Sequence, residues 1–213
     1  MADFQFPEEG MDPEELIDKL KGLKSNDLKW QEGRAFSYVY YAHPLITDLL
    51  KRAYQLYFSE NGLNPMAFPS LREMEVEVVS MCLSLFNGRQ GSVGLLTSGG
   101  TESILMAVKS AKKHAIKNRS IAKAEMLLPV SAHPAFHKAC AYFDIVPRMI
   151  PIDDSYRAIP AAYLEALSEN TIMMVASAPS YPQGVVDPIE KIGQIALENK
   201  IPFHVDSCVG GFV

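Results

Sequence analysis

The sequence predicts an α/β fold in which helices wrap a mainly parallel sheet, with a helical segment ahead of it. Three observations carry this. From Val93 onward, short apolar runs alternate with amphipathic helical patterns, the order expected of repeated strand-helix units. Those runs are predominantly apolar instead of alternating polar and apolar, which suits strands buried on both faces. The residues before them carry helical patterns and no comparable run. Two regions follow: an N-terminal helical segment with a proline-rich loop over residues 1–90, and an α/β region over residues 91–213.

In the first region, Asp12, Pro13 and Glu15 offer a helix N-cap, a proline at the first helical position and an acid in the first turn, with Gly22 as a stop. PLITDLLKRAYQLYF, residues 44–58, repeats apolar side chains at helical spacing and predicts a second helix. NGLNPMAFPS, residues 61–70, reads as a loop. Ser70 and Glu73 form a capping box for a third helix, with Leu71, Met74, Val78, Cys82 and Leu85 on one face.

In the second region the expected strands are VGLLT, MLLPV, IVPRMIPI, TIMMVASA and IPFHVDS. The intervening helices are TESILMAVKSAKKHA, PAFHKACAYF, PAAYLEALSE and DPIEKIGQIALEN. Asp187, Pro188 and Glu190 repeat the cap, proline and acid arrangement, so Asp187 is expected to cap the last helix.

Composition narrows the function classes. A net charge of −5, a pI near 5.6 and no basic run longer than Lys112-Lys113 leave no electrostatic footprint for nucleic acid or an anionic membrane. No stretch is apolar for long enough to span a bilayer, and the acidic opening lacks a signal-peptide layout, so a cytoplasmic protein is expected. The three cysteines, Cys82, Cys140 and Cys208, form neither a CxxC pair nor a His/Cys zinc spacing; no metal site and no disulfide framework is expected. Small molecules or proteins are the expected partners.

GLLTSGGTES, residues 94–103, places two glycines between hydroxyl residues at a strand-to-helix turn. Such a turn lies at the C-terminal edge of a parallel sheet, where ligands bind in open α/β folds. Backbone N–H groups of Gly99, Gly100 and Thr101 can point at one anion, Ser98 and Thr101 can add hydroxyl donors, and the helix dipole favours negative charge. A plain glycine turn with Thr101 as N-cap is the competing reading. Neither GxGxxG nor GxxxxGK[ST] is present, so a compact phosphate monoester fits better than a dinucleotide or nucleoside triphosphate. At equivalent edges stand His133, in SAHPAF, and Asp206, in HVDSC. The histidine is either a structural residue or a site residue. The carboxylate must be hydrated, hydrogen-bonded or paired with a cation from elsewhere.

TSGGTES, SAHPAFHKA, APSYPQGVVDP and HVDSCVGGF, in this order, resemble the pyridoxal-phosphate enzymes of the group II decarboxylase family, most closely its sphingosine-1-phosphate lyase branch. The resemblance runs from GRAFSYVYYAH, beginning at Gly33, to Val213 and implies the fold type I (PLP-dependent transferase-like) architecture, of which residues 91–213 supply part of the large domain. It implies that Ser98, Gly99, Gly100 and Thr101 hold the phosphate of pyridoxal 5'-phosphate (PLP), that His133 stacks on the pyridine ring, and that Asp206 pairs with the ring nitrogen. Cys208 would lie under the opposite ring face, or is simply a core thiol. His204 would sit near the cofactor with no assigned role.

Tyr40 and Tyr181 match tyrosines that reach the substrate in the lyase branch, where a retro-aldol cleavage needs a base for the β-hydroxyl proton; the alternative is two packed aromatics. Asn61 and Asn64 match a loop that approaches the active site from a partner subunit, with Asn64 where the lyases carry a histidine. A homodimer, and a phosphorylated amino alcohol or an amino acid as substrate, are the implied partners.

PLP chemistry of this kind needs a lysine that carries the cofactor covalently, and the resemblance places it in a His-Lys pair downstream of the HVD strand. Lys109, Lys112, Lys113, Lys138 and Lys191 fall on polar positions of expected helices. The expectation is therefore an N-terminal fragment of a PLP-dependent carbon-carbon lyase, with an aldehyde-lyase or an amino-acid decarboxylase as its two forms. A phosphate-binding module without covalent chemistry and a catalytically inactive interaction subunit are the alternatives.

Overall fold

A computed structural model describes residues 6–33 and 39–212. Contacts divide the chain into two compact units, Met1–Asn61 and Gly62–Val213. This division is one of contact, whereas the change of sequence pattern near residue 90 is one of hydropathy.

The first unit holds α1 (Pro13–Leu23) and α2 (Pro44–Leu56). Asp12 caps α1 as expected, its Oδ1 accepting the backbone N–H groups of Glu14 and Glu15. His43 caps α2 through Nδ1, which accepts the N–H of Leu45, ahead of a proline at the first helical turn. Neither helix buries a residue, and Leu45, Leu50, Tyr54 and Leu56 are largely exposed.

The second unit opens with α3 (Pro69–Leu85). Its N-cap is Phe68, with no side-chain hydrogen bond, so the expected Ser70–Glu73 capping box does not form. Pro69 starts the helix, because its fixed φ suits the first turn and its missing N–H costs nothing there. Ser70 consequently lies inside the helix.

Among the described residues four strands make one parallel sheet: β1 (Glu125–Pro129), β2 (Val146–Ile150), β3 (Thr171–Ser177) and β4 (Phe203–Asp206), in the order β2-β1-β3-β4. They connect through α4 (Gly100–Asn118), which precedes β1, then α5 (Ala135–Tyr142), α6 (Pro160–Ala166) and α7 (Ile189–Glu198). β1 and β3 are buried throughout, in keeping with their apolar composition.

Each face of the sheet has its own core. On one face Met126, Leu128, Ile172, Met173 and Val175 pack with Ile104 and Val108 of α4 and with Phe136 and Ala139 of α5. On the other, Leu127, Ile150, Met174 and Ala176 pack with Tyr163 of α6 and with Ile192 and Ala196 of α7. The register between β1 and β3 shifts between Glu125 and Met126, so Glu125 is opposite Thr171 and Met126 opposite Met173. The extra residue is Ile172, a bulge that puts both Ile172 and Met173 in the same core.

The expected first strand, residues 93–97, does not form. It pairs with no strand among the described residues, and Val93 and Leu95 are exposed. An apolar run becomes a strand only where a neighbour takes its backbone hydrogen bonds. The other four expected strands and their helices are present to within a few residues.

Two buried polar anchors hold the strand ends. Asp187 is almost fully buried, yet it does not cap α7. Its Oδ1 accepts the N–H of Ala158 and its Oδ2 that of Ser177, both at 2.8 Å. Burial demanded partners for the carboxylate, and two backbone donors from adjacent segments supplied them. At the opposite edge, Glu125 accepts from Arg148 Nη2 and Ser168 Oγ, both at 2.6 Å. The Arg148 guanidinium holds the Glu125 carboxyl below the usual carboxylate range.

Candidate functional site

All four strands run the same way, so β1, β3 and β4 present their C-terminal ends along one edge. Between β1 and β3 the strand order reverses, which opens a crevice at that edge in doubly wound sheets. A cavity of about 640 Å³ lies there, of a size usual for a cofactor site. Its lining includes Gly99, Gly100 and Thr101 at the start of α4, His133 after β1, and His204, Asp206 and Cys208 in and after β4. Seven of the residues singled out from sequence thus share one cavity.

The glycines at the start of α4 are not there to relieve the backbone. Gly99 has φ 160°, an extended conformation open to any residue, and a Cβ there would meet no atom within 4 Å. At Gly100 the nearest atom to an added Cβ is Cys208 Sγ, at 3.8 Å. The fold tolerates side chains at both positions. What a Cβ would fill is space beside the first N–H groups of α4, which lack intrahelical acceptors. That is the arrangement a phosphate group needs. Gly210 is the contrast, since a Cβ there would collide with the carbonyl oxygen of Ala178 and the fold itself requires glycine.

Ser98 sits differently from its neighbours. Its N–H and its hydroxyl both donate to Glu102 Oε2, each at 2.7 Å, and it does not line the cavity. These two donors hold the Glu102 carboxyl below its ordinary range. Thr97 and Ser103 do line the cavity. Their hydroxyls are 2.6 Å apart, and Thr97 Oγ1 also donates to the carbonyl oxygen of Gly99 at 3.0 Å. Neither residue nor Glu102 was singled out from sequence. The only signal was the serine-to-glutamate spacing across the helix start, a capping box shifted by one residue.

His133 accepts the N–H of Ala135 at Nδ1, 3.1 Å away. The same His-Pro arrangement caps α2 through His43. An accepting Nδ1 carries no proton, so the neutral ring carries it on Nε2. His133 is therefore both a structural cap and a cavity-lining ring; the two readings of the sequence are compatible.

Asp206 ends β4, opposite Ser177 in register. Its Oδ1 accepts the N–H of Cys208 at 3.2 Å, and its main-chain oxygen accepts the N–H of Ala178 at 2.8 Å. His204 stands in edge-to-face contact with Phe136, ring centroids 5.5 Å apart. Burial lowers its pKa, and the Asp206 charge raises it by less. His204 is neutral near pH 7.

The remaining residues lie elsewhere. Tyr181 is in the loop after β3, half exposed and not in the cavity lining. Tyr40 and Asn61 belong to the first unit. Asn64 organises the loop before α3, its Oδ1 accepting the N–H of Met66 at 2.9 Å. No lysine lines the cavity among the described residues, and these contain no cluster of His, Cys, Asp or Glu fit for a metal ion. No described helix is long and apolar enough to cross a membrane.

The model of the pyridoxal-dependent decarboxylase conserved domain matches residues 2–213. The chain belongs to that family. The resemblance read from its motifs is borne out, and PLP is the cofactor indicated. Relatives include sphingosine-1-phosphate lyase 1 of Rattus norvegicus, 44% identical over 208 residues, and the sphingosine-1-phosphate lyase of Saccharomyces cerevisiae, 40% identical over 215 residues. Each alignment covers 98% of this chain and 36% of the relative.

Among solved structures, the sphingosine-1-phosphate lyase of Burkholderia pseudomallei matches with a TM-score of 0.91 and 36% identity, over 99% of this chain and 50% of that one. A glutamate decarboxylase of Lactobacillus brevis matches with a TM-score of 0.81 at 19% identity, over 100% of this chain and 51% of that one. The second likeness speaks to fold alone, and both agree with the fold type I expectation. The chain spans about a third of the length of the curated relatives it matches.

Proposed function

We propose that this chain forms the cofactor-phosphate-binding part of a PLP-dependent carbon-carbon lyase that cleaves a phosphorylated amino alcohol between Cα and Cβ. The observation that carries the reading is the cavity joining the α4 start to His133 and Asp206. Lyase relatives at 40% identity or more over nearly the whole chain support the reaction class.

Gly99, Gly100 and Thr101 would bind the phosphate through backbone N–H groups, with the Thr101 hydroxyl as a further donor. His133 would lie against the pyridine ring. Asp206 would hold a proton on the ring nitrogen by charge pairing. Cys208, adjacent to Gly100, would bound the opposite side. When bound, the cofactor supplies an electron sink for the pair left on the substrate's Cα. Tyr181 and Tyr40 would take or relay the β-hydroxyl proton, and the lysine that holds the cofactor would come from outside these 213 residues. A homodimer whose Asn61–Asn64 loop meets the partner's site, in a cytoplasmic setting, belongs to the same reading.

Amino-acid decarboxylation is the second reading, favoured by the family description itself. Full-length protein supplied with PLP separates the two. The lyase reading expects an aldehyde and phosphoethanolamine from a long-chain phosphorylated amino alcohol. Release of carbon dioxide from amino acids, with no aldehyde, supports the decarboxylase instead.

A further inference from the structure

Glu102 lies in the first turn of α4 and does not itself line the cavity. A carboxylate so close to a proposed phosphate site would ordinarily oppose a second anion. Its geometry shows where the charge goes: Oε2 accepts both the N–H and the hydroxyl of Ser98, at 2.7 Å each. This fixes the peptide plane between Thr97 and Ser98, because a trans peptide moves its N–H and C=O as one rigid unit.

The next turn is fixed by a second set of bonds. The carbonyl oxygen of Gly99 accepts from Thr97 Oγ1 at 3.0 Å and from the N–H of Ser103 at 3.1 Å. Since Thr97 donates to Gly99, the hydrogen between Thr97 Oγ1 and Ser103 Oγ comes from Ser103. The Gly99 carbonyl shares a peptide plane with the Gly100 N–H, which must therefore point away from it. Two glycines in sequence would otherwise let this loop sample many conformations.

We propose that Glu102 is a positioning residue for the phosphate cradle: its grip on Ser98 locks the loop so that Gly99, Gly100 and Thr101 present their N–H groups together. Ser98 then serves Glu102 and not the phosphate, which departs from the role the sequence implied for it. This rests on the cofactor-phosphate reading given above.

The test is equilibrium binding of PLP and of pyridoxal, which lacks the phosphate, to full-length apo protein. Their affinity ratio isolates the phosphate contribution. Glu102→Ala is expected to weaken PLP roughly tenfold or more, the scale of a lost charged hydrogen bond, while pyridoxal binding stays nearly unchanged. Glu102→Gln keeps an acceptor oxygen and restores most of the loss. Ser98→Ala has a smaller effect in the wild type and none in the Glu102→Ala background, since coupled residues are not additive.

Tighter PLP binding by Glu102→Ala would mean that the carboxylate merely repels the phosphate, and overturns the proposal. An undiminished Ser98→Ala effect in the Glu102→Ala background overturns it too, by making the hydroxyl a direct ligand. If Glu102→Ala does not fold, Glu102→Met, which keeps the side-chain length but offers no acceptor oxygen to Ser98, carries the same comparison alone and with Ser98→Ala. A wild type that binds PLP no better than pyridoxal refutes the cradle reading itself, whereas a preference kept by Glu102→Ala refutes only the role of Glu102.

Discussion

The Asp187 carboxylate accepts the N–H of Ser177 at 2.8 Å, at the strand end that lies in register with Asp206. The same carboxylate reaches the N–H of Ala158, so one buried side chain ties β3 to the segment that leads into α6. The strand end in register with Asp206 is thus held by an anchor that does not itself line the cavity. Replacing Asp187 with alanine leaves two buried N–H groups unpaired and is predicted to cost about 2–4 kcal/mol. Denaturant unfolding of wild type and variant measures it. A change within ~0.5 kcal/mol, ordinary for a surface residue, would contradict the anchor.

Gly99→Ala and Gly100→Ala are expected to leave folding stability unchanged or raise it by about 0.4–1 kcal/mol, because neither position needs a left-handed backbone. Both should weaken PLP binding by crowding the N–H groups. Gly210→Ala should do the reverse and destabilise the fold, since its Cβ would strike Ala178. Thermal melts and PLP titrations of the three variants separate the two kinds of glycine.

Asp206→Asn preserves an oxygen acceptor for the N–H of Cys208 but removes the charge. The fold should persist, while turnover by the full-length protein falls by roughly 10²–10³, the scale of losing one preorganised electrostatic partner. Steady-state kinetics with a PLP titration checks this. Wild-type turnover in the variant would remove Asp206 from the proposed machinery.

His204 gives stability a pH dependence of known sign. Its folded pKa lies below the ordinary 6.5, so the unfolded chain takes up its proton first as the pH falls. The contribution is fully present above pH 6.5 and is lost as pH falls toward the folded value. His204→Gln should therefore flatten the melting-temperature profile on the acid side of that point. An identical profile would show that the burial of the ring is not coupled to folding.

Much of the site was legible because its chemistry sits where the fold must put it. Apolar runs and helical patterns located four strands, and parallel strands place the residues that follow them along one edge. His133 and Asp206 follow from that placement, whereas Gly99, Gly100 and Thr101 line the same cavity as the start of α4, behind an apolar run that forms no strand. What stayed hidden depends on partners that sequence does not display. Asp187 looked like a cap because Pro188 and Glu190 follow it, yet burial against β3 redirected its carboxylate to Ser177 and Ala158. Residues 93–97 carry a strand's composition without a neighbour to pair with. Ser98 looked like an anion ligand until Glu102, one turn along, took both of its donors.

The most direct test of the central claim is a difference-density map of full-length protein crystallised with PLP. The account predicts the phosphate at the start of α4, against the N–H groups of Gly100 and Thr101, with His133 and Asp206 on the same bound molecule. Phosphate density held elsewhere, with only water at the start of α4, would contradict it.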